Sequence, residues 1–359
     1  MEQTNDIFRM LEMLARPGFC VKDHKIIKAG SGAAELVAEG ASIDDYLRTG
    51  REEYAEFTEG CLYLTLKLNG KSCGASVRRI GQYDLFMLEQ DADQSELQAM
   101  ALAARELREP LANVMTTADR LFPMSALQDD PAAQDLATRM NRGLYQMLRV
   151  ISNMSDASRY SSASSVQESR NVPGLLGEIF VKAQTQVVHT GIRLTFENLK
   201  EPVFSLVDEE QLTRAVLNII SNAVKFSPKD GAIEAKLVRR GNMLHLTVLD
   251  SGEGLSEAVR SNIYDRFRRK PTIEDGRFGI GLGMVLIRSA ATHHGGTVLV
   301  DKPSGAGTRI TMTLAIRKGD DSQLRSQICK IDYAGGRDRT LIELSECLPP
   351  DAYESRKIN

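Results

Sequence analysis

The chain is poor in the features that mark membranes, disulfide frameworks or nucleic-acid binding. No apolar run in its 359 residues approaches the ~18–20 needed to span a bilayer. The opening residues, MEQTNDIFRM, are neither basic nor apolar enough for a signal peptide. Five cysteines (Cys20, Cys61, Cys73, Cys329, Cys347) are scattered without a CxxC pair, which reads as reduced core thiols in a cytosolic protein. A net charge of −3 leaves no bulk basicity for nucleic acid. What is present is a 42% hydrophobic composition, enough for two or three domains with a core each. The expectation is a soluble, cytoplasmic chain with no membrane span and no nucleic-acid partner.

The first ninety residues alternate helix and strand signals. Leu62, Leu64, Leu66 and Leu68 recur at period two, followed by Asn69-Gly70 and a second strand. Alternation broken by Asn-Gly signals a hairpin, because a type I′ turn needs φ > 0 at both central residues. YDLFMLEQ adds a strand, and FCVKDHKIIKAG reads as a shorter hairpin. Residues 1–90 are therefore expected to form a small antiparallel sheet with a few helices.

From about Ser95 the period changes. Leu97, Ala104, Leu111 and Ala118 are seven residues apart, and so are Met100, Leu107, Val114 and Leu121. That spacing is an a/d seam. A second periodic stretch carries Leu136, Met140, Leu144, Met147, Ile151 and Met154. The pair is expected as a helical hairpin over residues 91–160, whose apolar stripes call for a second copy and a four-helix bundle. The serine-rich stretch RYSSASSVQES reads as a linker. Residues 161–316 alternate helix and strand signals. The remainder, 317–359, reads as two strands around Gly335-Gly336.

Three motifs carry the chemistry. Helix DEEQLTRAVLNIISNAVKFSP opens with Asp208 as N-cap and Gln211 three residues on. Arg214, Asn218, Asn222 and Lys225 fall within one narrow stripe of it. Buried asparagines need partners, and neighbouring backbone would satisfy them as well as a ligand would. The strand MLHLTVL ends in Asp250 and a loop holding Gly252 and Gly254. A carboxylate there can accept a bond from an exocyclic amine, and glycines let the backbone pass close to a planar ring; a simple turn accounts for DSGEG equally well. Finally, Gly279, Gly281 and Gly283 alternate directly before a helix, where free N–H groups favour phosphate. The polar loop preceding them excludes a Rossmann turn, and the absence of GKS or GKT excludes a P-loop.

Taken in order, these motifs resemble the ATP-binding module shared by histidine kinases, the Hsp90 chaperone, mismatch-repair ATPases and type II topoisomerases. NIISNAVKFSP resembles the N box, DSGEGL the G1 box, YDRF the F box and GIGLGM the G2 box, while HHGGTVLVDKPSGAGT resembles the closing stretch of the histidine-kinase version. The resemblance implies ATP and Mg²⁺ as cofactors. It implies that Asn222 coordinates Mg²⁺, that Asn218 supports the same stripe and that Lys225 approaches the phosphates. Asp250 would bond the adenine amine, with Gly252 and Gly254 allowing close packing. Gly279, Gly281, Leu282 and Gly283 would shape the lid, Thr308 would sit near the adenine end, and Phe267 and Arg269 match the F-box aromatic and basic positions. Tyr264 stands where phenylalanine is usual.

The preceding hairpin resembles the dimerising, phosphoacceptor-bearing domain of sensor histidine kinases. Its motif, of the form H-E-L-R-x-P-L, is matched by RELREPL at residues 105–111, with Arg105 in place of the acceptor histidine. Guanidinium stays protonated and has no lone pair with which to attack a γ-phosphate, so Glu106, the family's base, has nothing to activate. Glu109 stands where the family uses asparagine or threonine in phosphatase activity. None of the five histidines lies between residues 95 and 160. Thr116, about 16 Å along the helix from Arg105 at 1.5 Å per residue, reads as a surface threonine. His293-His294 reads as structural rather than metal-binding.

The expected fold is thus multidomain α+β. It comprises a PAS-like sheet domain (1–90), a dimerising hairpin (91–160), an α/β-sandwich ATP-binding domain with a mixed sheet and helices on one face (161–316), and a C-terminal hairpin (317–359). The expected function is a homodimeric sensor histidine kinase family protein that binds Mg-ATP and acts with a response regulator or another kinase. A non-catalytic, ATP-gated pseudokinase is the alternative.

Overall fold

A computed structural model of the chain describes residues 16–89, 92–121, 130–159, 167–254, 281–303, 306–318 and 337–354, with Phe8, Leu11 and Glu12. β1 (Gly18–Lys22) and β2 (Lys25–Ala29) pair antiparallel around Asp23 and His24, whose φ values are 49° and 61°. A short helix α1 (Arg51–Ala55) precedes β3 (Cys61–Leu68), β4 (Lys71–Ile80) and β5 (Tyr83–Leu88). Asn69 and Gly70 turn β3 into β4 with φ of 47° and 80°, the left-handed conformations that a two-residue hairpin requires. Phe19, Leu62, Leu64, Leu66 and Phe86 form the core of this unit.

α2 (Ala92–Leu121) and α3 (Pro131–Arg159) form the helical hairpin. α2 continues past Pro110, where the ring removes one backbone donor. The two seams of α2 have different fates. Leu97, Ala104, Leu111 and Ala118 are buried, Ala104, Leu111 and Ala118 against Leu144 and Ile151 of α3. Leu107, Val114 and Leu121 remain 48%, 53% and 68% exposed. Two helices can cover only one seam, so the other stands as an open apolar ridge.

The C-terminal unit begins with β6 (Glu168–Asn171), α4 (Val172–Val187), β7 (Arg193–Glu197) and β8 (Phe204–Val207). Next come α5 (Glu209–Phe226), β9 (Ala232–Arg240), β10 (Met243–Leu249), α6 (Gly283–His293), β11 (Val298–Asp301) and β12 (Arg309–Ala315). Asp208 caps α5, its carboxylate accepting from the Gln211 amide at 3.0 Å. α4, α5 and α6 share one core with Leu244, Leu246 and Val248, the buried alternation of β10. β7 pairs parallel to β9, and the other pairings among the named strands are antiparallel.

The sheet topology departs from the expectation of separate sheets. One ten-stranded sheet runs β2-β1-β5-β4-β3-β11-β12-β10-β9-β7. Its joint is β3 against β11, antiparallel, with Tyr63 opposite Val298 and Cys61 opposite Val300. The edge strand of each unit thereby satisfies the open N–H and C=O groups of the other, which would otherwise invite pairing with another chain.

The C-terminal segment also departs from expectation. Residues 339–343, read from sequence as strand, form a short helix, α7 (Arg339–Glu343), followed by a 3₁₀ turn at Pro350–Tyr353. No strand occurs among its described residues. The Asp338 carboxylate caps α7 by accepting from the amides of Thr340 and Leu341 at 2.6 and 3.3 Å. The short helix and the turn that follows it place Leu341, Ile342, Leu344 and Leu348 in the same core as α4 and α5.

Candidate functional site

At the end of β10, Asp250 turns inward. Its Oδ1 accepts from the backbone amides of Gly252 and Thr308, each at 2.9 Å. Burial raises its pKa, and these backbone donors oppose the rise. Thr308 is thereby held beside the carboxylate. A Cβ at Gly252 would collide with the carbonyl of Phe226, so only glycine lets the loop close against the end of α5. Gly254 follows with φ of 79°.

The polar stripe of α5 faces away from solvent and carries a network of charges. Arg214 donates to Ser152 Oγ at 2.9 Å and Asn153 Oδ1 at 2.7 Å, and pairs with Asp156, all three on α3. From α7, Glu343 lies 2.9 Å from Arg214 Nε and accepts from Asn218 Nδ2 at 3.2 Å. Arg149 of α3 donates to Asn218 Oδ1 at 3.2 Å and lies 3.2 Å from Glu346. Lys225 pairs with Glu346 as well. Burial lowers the pKa of Arg214, and Glu343 is the chief opposing influence. Three cations (Arg149, Arg214, Lys225) thus meet three carboxylates (Asp156, Glu343, Glu346), the balance that buried charge requires.

Asn222 lies one turn further along, its Nδ2 4.0 Å from Met284 Sδ. Gly283 opens α6 directly against Asn218, whose Oδ1 would lie 3.2 Å from an added Cβ. Leu282 and Gly281 precede it, and Leu282 packs with Val285, Leu286 and Leu97 of α2. The structure thus places Asn218, Asn222 and Lys225 along one face of α5 with Gly283 against Asn218, and sets Gly252, beside Asp250 and Thr308, against the C-terminal end of that helix, while Leu282 packs toward α2. Phe267, Arg269 and Gly279 lie outside the described residues.

Arg105 and Glu106 are not part of this cluster. Both are exposed on α2, and among the described residues no hydrogen bond or ion pair joins them to α5. Thr116, also exposed, bonds back to the Ala112 carbonyl at 2.9 Å. His294 is structural: its Nε2 accepts from the Asp208 amide at 3.0 Å and its Nδ1 donates to the Ala290 carbonyl at 2.7 Å. Burial lowers its pKa to about 4. No cluster of three or more His, Cys, Asp or Glu placed to hold a metal occurs among the described residues.

Sequence reasoning missed Arg149, Asp156, Glu343 and Glu346. A signal existed for the first pair: Arg149, Asn153 and Asp156 sit at i, i+4 and i+7 of an otherwise apolar helical pattern. Chemically, the face of α5, together with Arg149 of α3, clasps oxyanions, since carboxylate oxygens already lie against Asn218, Arg149 and Lys225. That donor set suits phosphate oxygens equally. The Asn222 carboxamide offers an oxygen of the kind a hard divalent cation takes.

Residues 207–318 match the family described as histidine kinase-, DNA gyrase B-, and HSP90-like ATPase. Over 206 residues the chain is 26% identical to sensor protein KdpD of Clostridium acetobutylicum, covering 56% of this chain and 23% of that protein. It is 26% identical over 239 residues to sensor histidine kinase WalK of Bacillus subtilis, covering 64% and 38%. It is 24% identical over 226 residues to sensor histidine kinase RppB of Synechocystis, covering 62% and 50%. The chain therefore spans half or less of the length of these relatives. Full-length ShkA in complex with AMPPNP shares the fold at a TM-score of 0.50 and 21% identity, over 62% of this chain and 46% of that one. Among the described residues no helix is long and apolar enough to cross a membrane.

Proposed function

We propose that the chain is a member of the sensor histidine kinase family whose α/β unit binds Mg-ATP and serves phosphorelay signalling without a phosphoacceptor of its own. The observation that carries the reading is the joint placement of Asp250 and the α5 stripe: a buried carboxylate beside Gly252, and an oxyanion-clasping face along the same helix. Asp250 would accept from the adenine amine, while Gly252 and Gly254 let the loop lie close to the ring. Lys225 and Asn218 would face the phosphates, and Asn222 would supply an oxygen to Mg²⁺. Bound nucleotide supplies the γ-phosphoryl group that this family transfers.

Residues 161–316 are assigned to this domain, 91–160 to a dimerising hairpin and 1–90 to a PAS-like unit, the last supported by its five antiparallel strands. The open ridge of Leu107, Val114 and Leu121 supports a homodimer in which two hairpins make a four-helix bundle. A response regulator or a second kinase is the partner, and the compartment is the cytoplasm.

The pseudokinase reading draws on one specific observation: Arg105, at the acceptor position, is exposed on α2, and a guanidinium has no nucleophilic lone pair. In that reading nucleotide gates an interaction rather than a transfer. Calorimetric titration of the full chain with ATP and Mg²⁺ tests the shared premise. Binding by the wild type and at least ~10-fold weaker binding by Asp250→Asn, which cannot both accept and stay anionic, supports it. Equal affinity of the two proteins, or none in either, refutes it.

A further inference from the structure

The residues that the nucleotide reading assigns to phosphate are already in use. Asn218 donates to Glu343 at 3.2 Å, and Lys225 pairs with Glu346. Both carboxylates come from the segment 337–354, which crosses from the hairpin to α5. Arg337 pairs with Asp119 of α2 at 2.8 Å, and its guanidinium lies over the Tyr145 ring. Gln146 Nε2 donates to the Ser345 carbonyl at 3.2 Å, and Asn141 Nδ2 to the Tyr353 carbonyl at 3.3 Å. The Tyr353 hydroxyl closes the segment on itself through the Leu341 carbonyl at 2.8 Å.

We infer that segment 337–354 is an intramolecular, acidic ligand of the nucleotide site, holding it shut until the polyphosphate of a nucleotide displaces Glu343 and Glu346. This rests on the nucleotide reading above and adds the regulation of that site. The chemistry is competition of oxyanions for one donor set. Carboxylate and phosphate oxygens accept from the same ammonium, guanidinium and amide donors, and both cannot occupy them. Glu346 is the exchangeable member. Its side chain is 24% exposed, whereas Glu343 is 5% exposed and tied to Arg214. A tethered ligand acts at an effective concentration on the order of millimolar, so its affinity can be modest and still raise the apparent Kd for nucleotide.

Displacement would have a second consequence. Arg149 belongs to α3, yet it bonds Asn218 of α5 and both glutamates of the segment. Glu343 and Glu346 therefore bridge the hairpin to the α/β unit, and their departure exchanges two carboxylates against Arg149 for phosphate. Nucleotide entry is in this way coupled to how firmly the hairpin is held.

The test uses the full chain as wild type, Glu346→Gln and Glu343→Gln/Glu346→Gln, titrated with Mg-ATP by calorimetry. Amide hydrogen exchange of residues 339–348 in the wild type is followed with and without the nucleotide. The inference predicts at least ~10-fold tighter binding by Glu346→Gln, and faster exchange across 339–348 when wild type is saturated with Mg-ATP. If wild type and Glu346→Gln bind equally and the segment stays protected in the complex, the inference is overturned while the nucleotide reading stands. If no protein binds, including the double variant, the nucleotide reading fails and takes the inference with it. Should the double variant unfold, Glu346→Gln and the exchange measurement decide between these outcomes.

Discussion

Arg214 of α5 and Asp156 of α3 form an ion pair with only 6% and 1% of their side chains exposed. The pair joins the helical hairpin to the α/β unit at the base of the polar stripe. Buried ion pairs gain little over apolar packing, but removing one partner leaves an uncompensated charge. Asp156→Asn should therefore cost about 3 kcal/mol of unfolding free energy in urea. Adding Arg214→Met to Asp156→Leu should not recover that loss, because it takes from the buried Glu343 its Arg214 partner. A single-variant cost below ~1 kcal/mol would mean that the pair is hydrated in solution.

The His294 imidazole gives the fold a pH dependence. Its pKa falls from 6.5 to about 4 through burial, so as pH drops the unfolded chain binds the proton before the folded one does. The stabilisation is complete above the unfolded value and is lost as pH falls through the folded one. It amounts to at most about 3 kcal/mol. Urea midpoints measured from pH 7 to pH 4 should fall more steeply in wild type than in His294→Gln. Parallel curves would show that the ring is not held neutral.

The Leu107–Val114–Leu121 ridge should be an interface between copies of the chain. Light scattering of the wild type should give twice the monomer mass. Leu107→Glu with Val114→Glu should halve it while leaving the inner seam of Leu97, Ala104, Leu111 and Ala118 in place, because both altered side chains are exposed and the seam is buried. A double variant that stays dimeric would move the interface elsewhere.

Gly252→Ala should be disproportionately costly for one methyl group. The new Cβ meets the Phe226 carbonyl, and the loop must retreat, taking with it the amide that Asp250 accepts from. The expected destabilisation is about 1–3 kcal/mol, with weaker nucleotide binding. Both are read in one series of thermal melts with and without Mg-ATP.

Much of this was legible in the chain, and the limits have physical causes. Period-seven leucines and alanines carry α2 because a helix repeats its faces locally, and Asn69-Gly70 carries the β3–β4 turn because few residues accept its dihedrals. The stripe of Asn218, Asn222 and Lys225 followed from the same local geometry. Pairing of β3 with β11 was not legible: edge strands carry no local mark of which distant strand they meet. The strand reading of 339–343 failed because β-branched and apolar residues suit either state, and the Asp338 cap with a waiting apolar surface decided for helix. The partners of Arg214 and Asn218 stayed hidden because they come from α3 and α7, far away in sequence.

The central claim is a retained nucleotide site coupled to a position, Arg105, that cannot accept phosphate. Its most direct test incubates the full chain with γ-labelled ATP and Mg²⁺ and then assays the protein for acid-labile label, in wild type and in Arg105→His combined with Glu346→Gln. The account predicts no label on the wild type and acid-labile label on the double variant. Acid-labile label on the wild-type chain alone would contradict it.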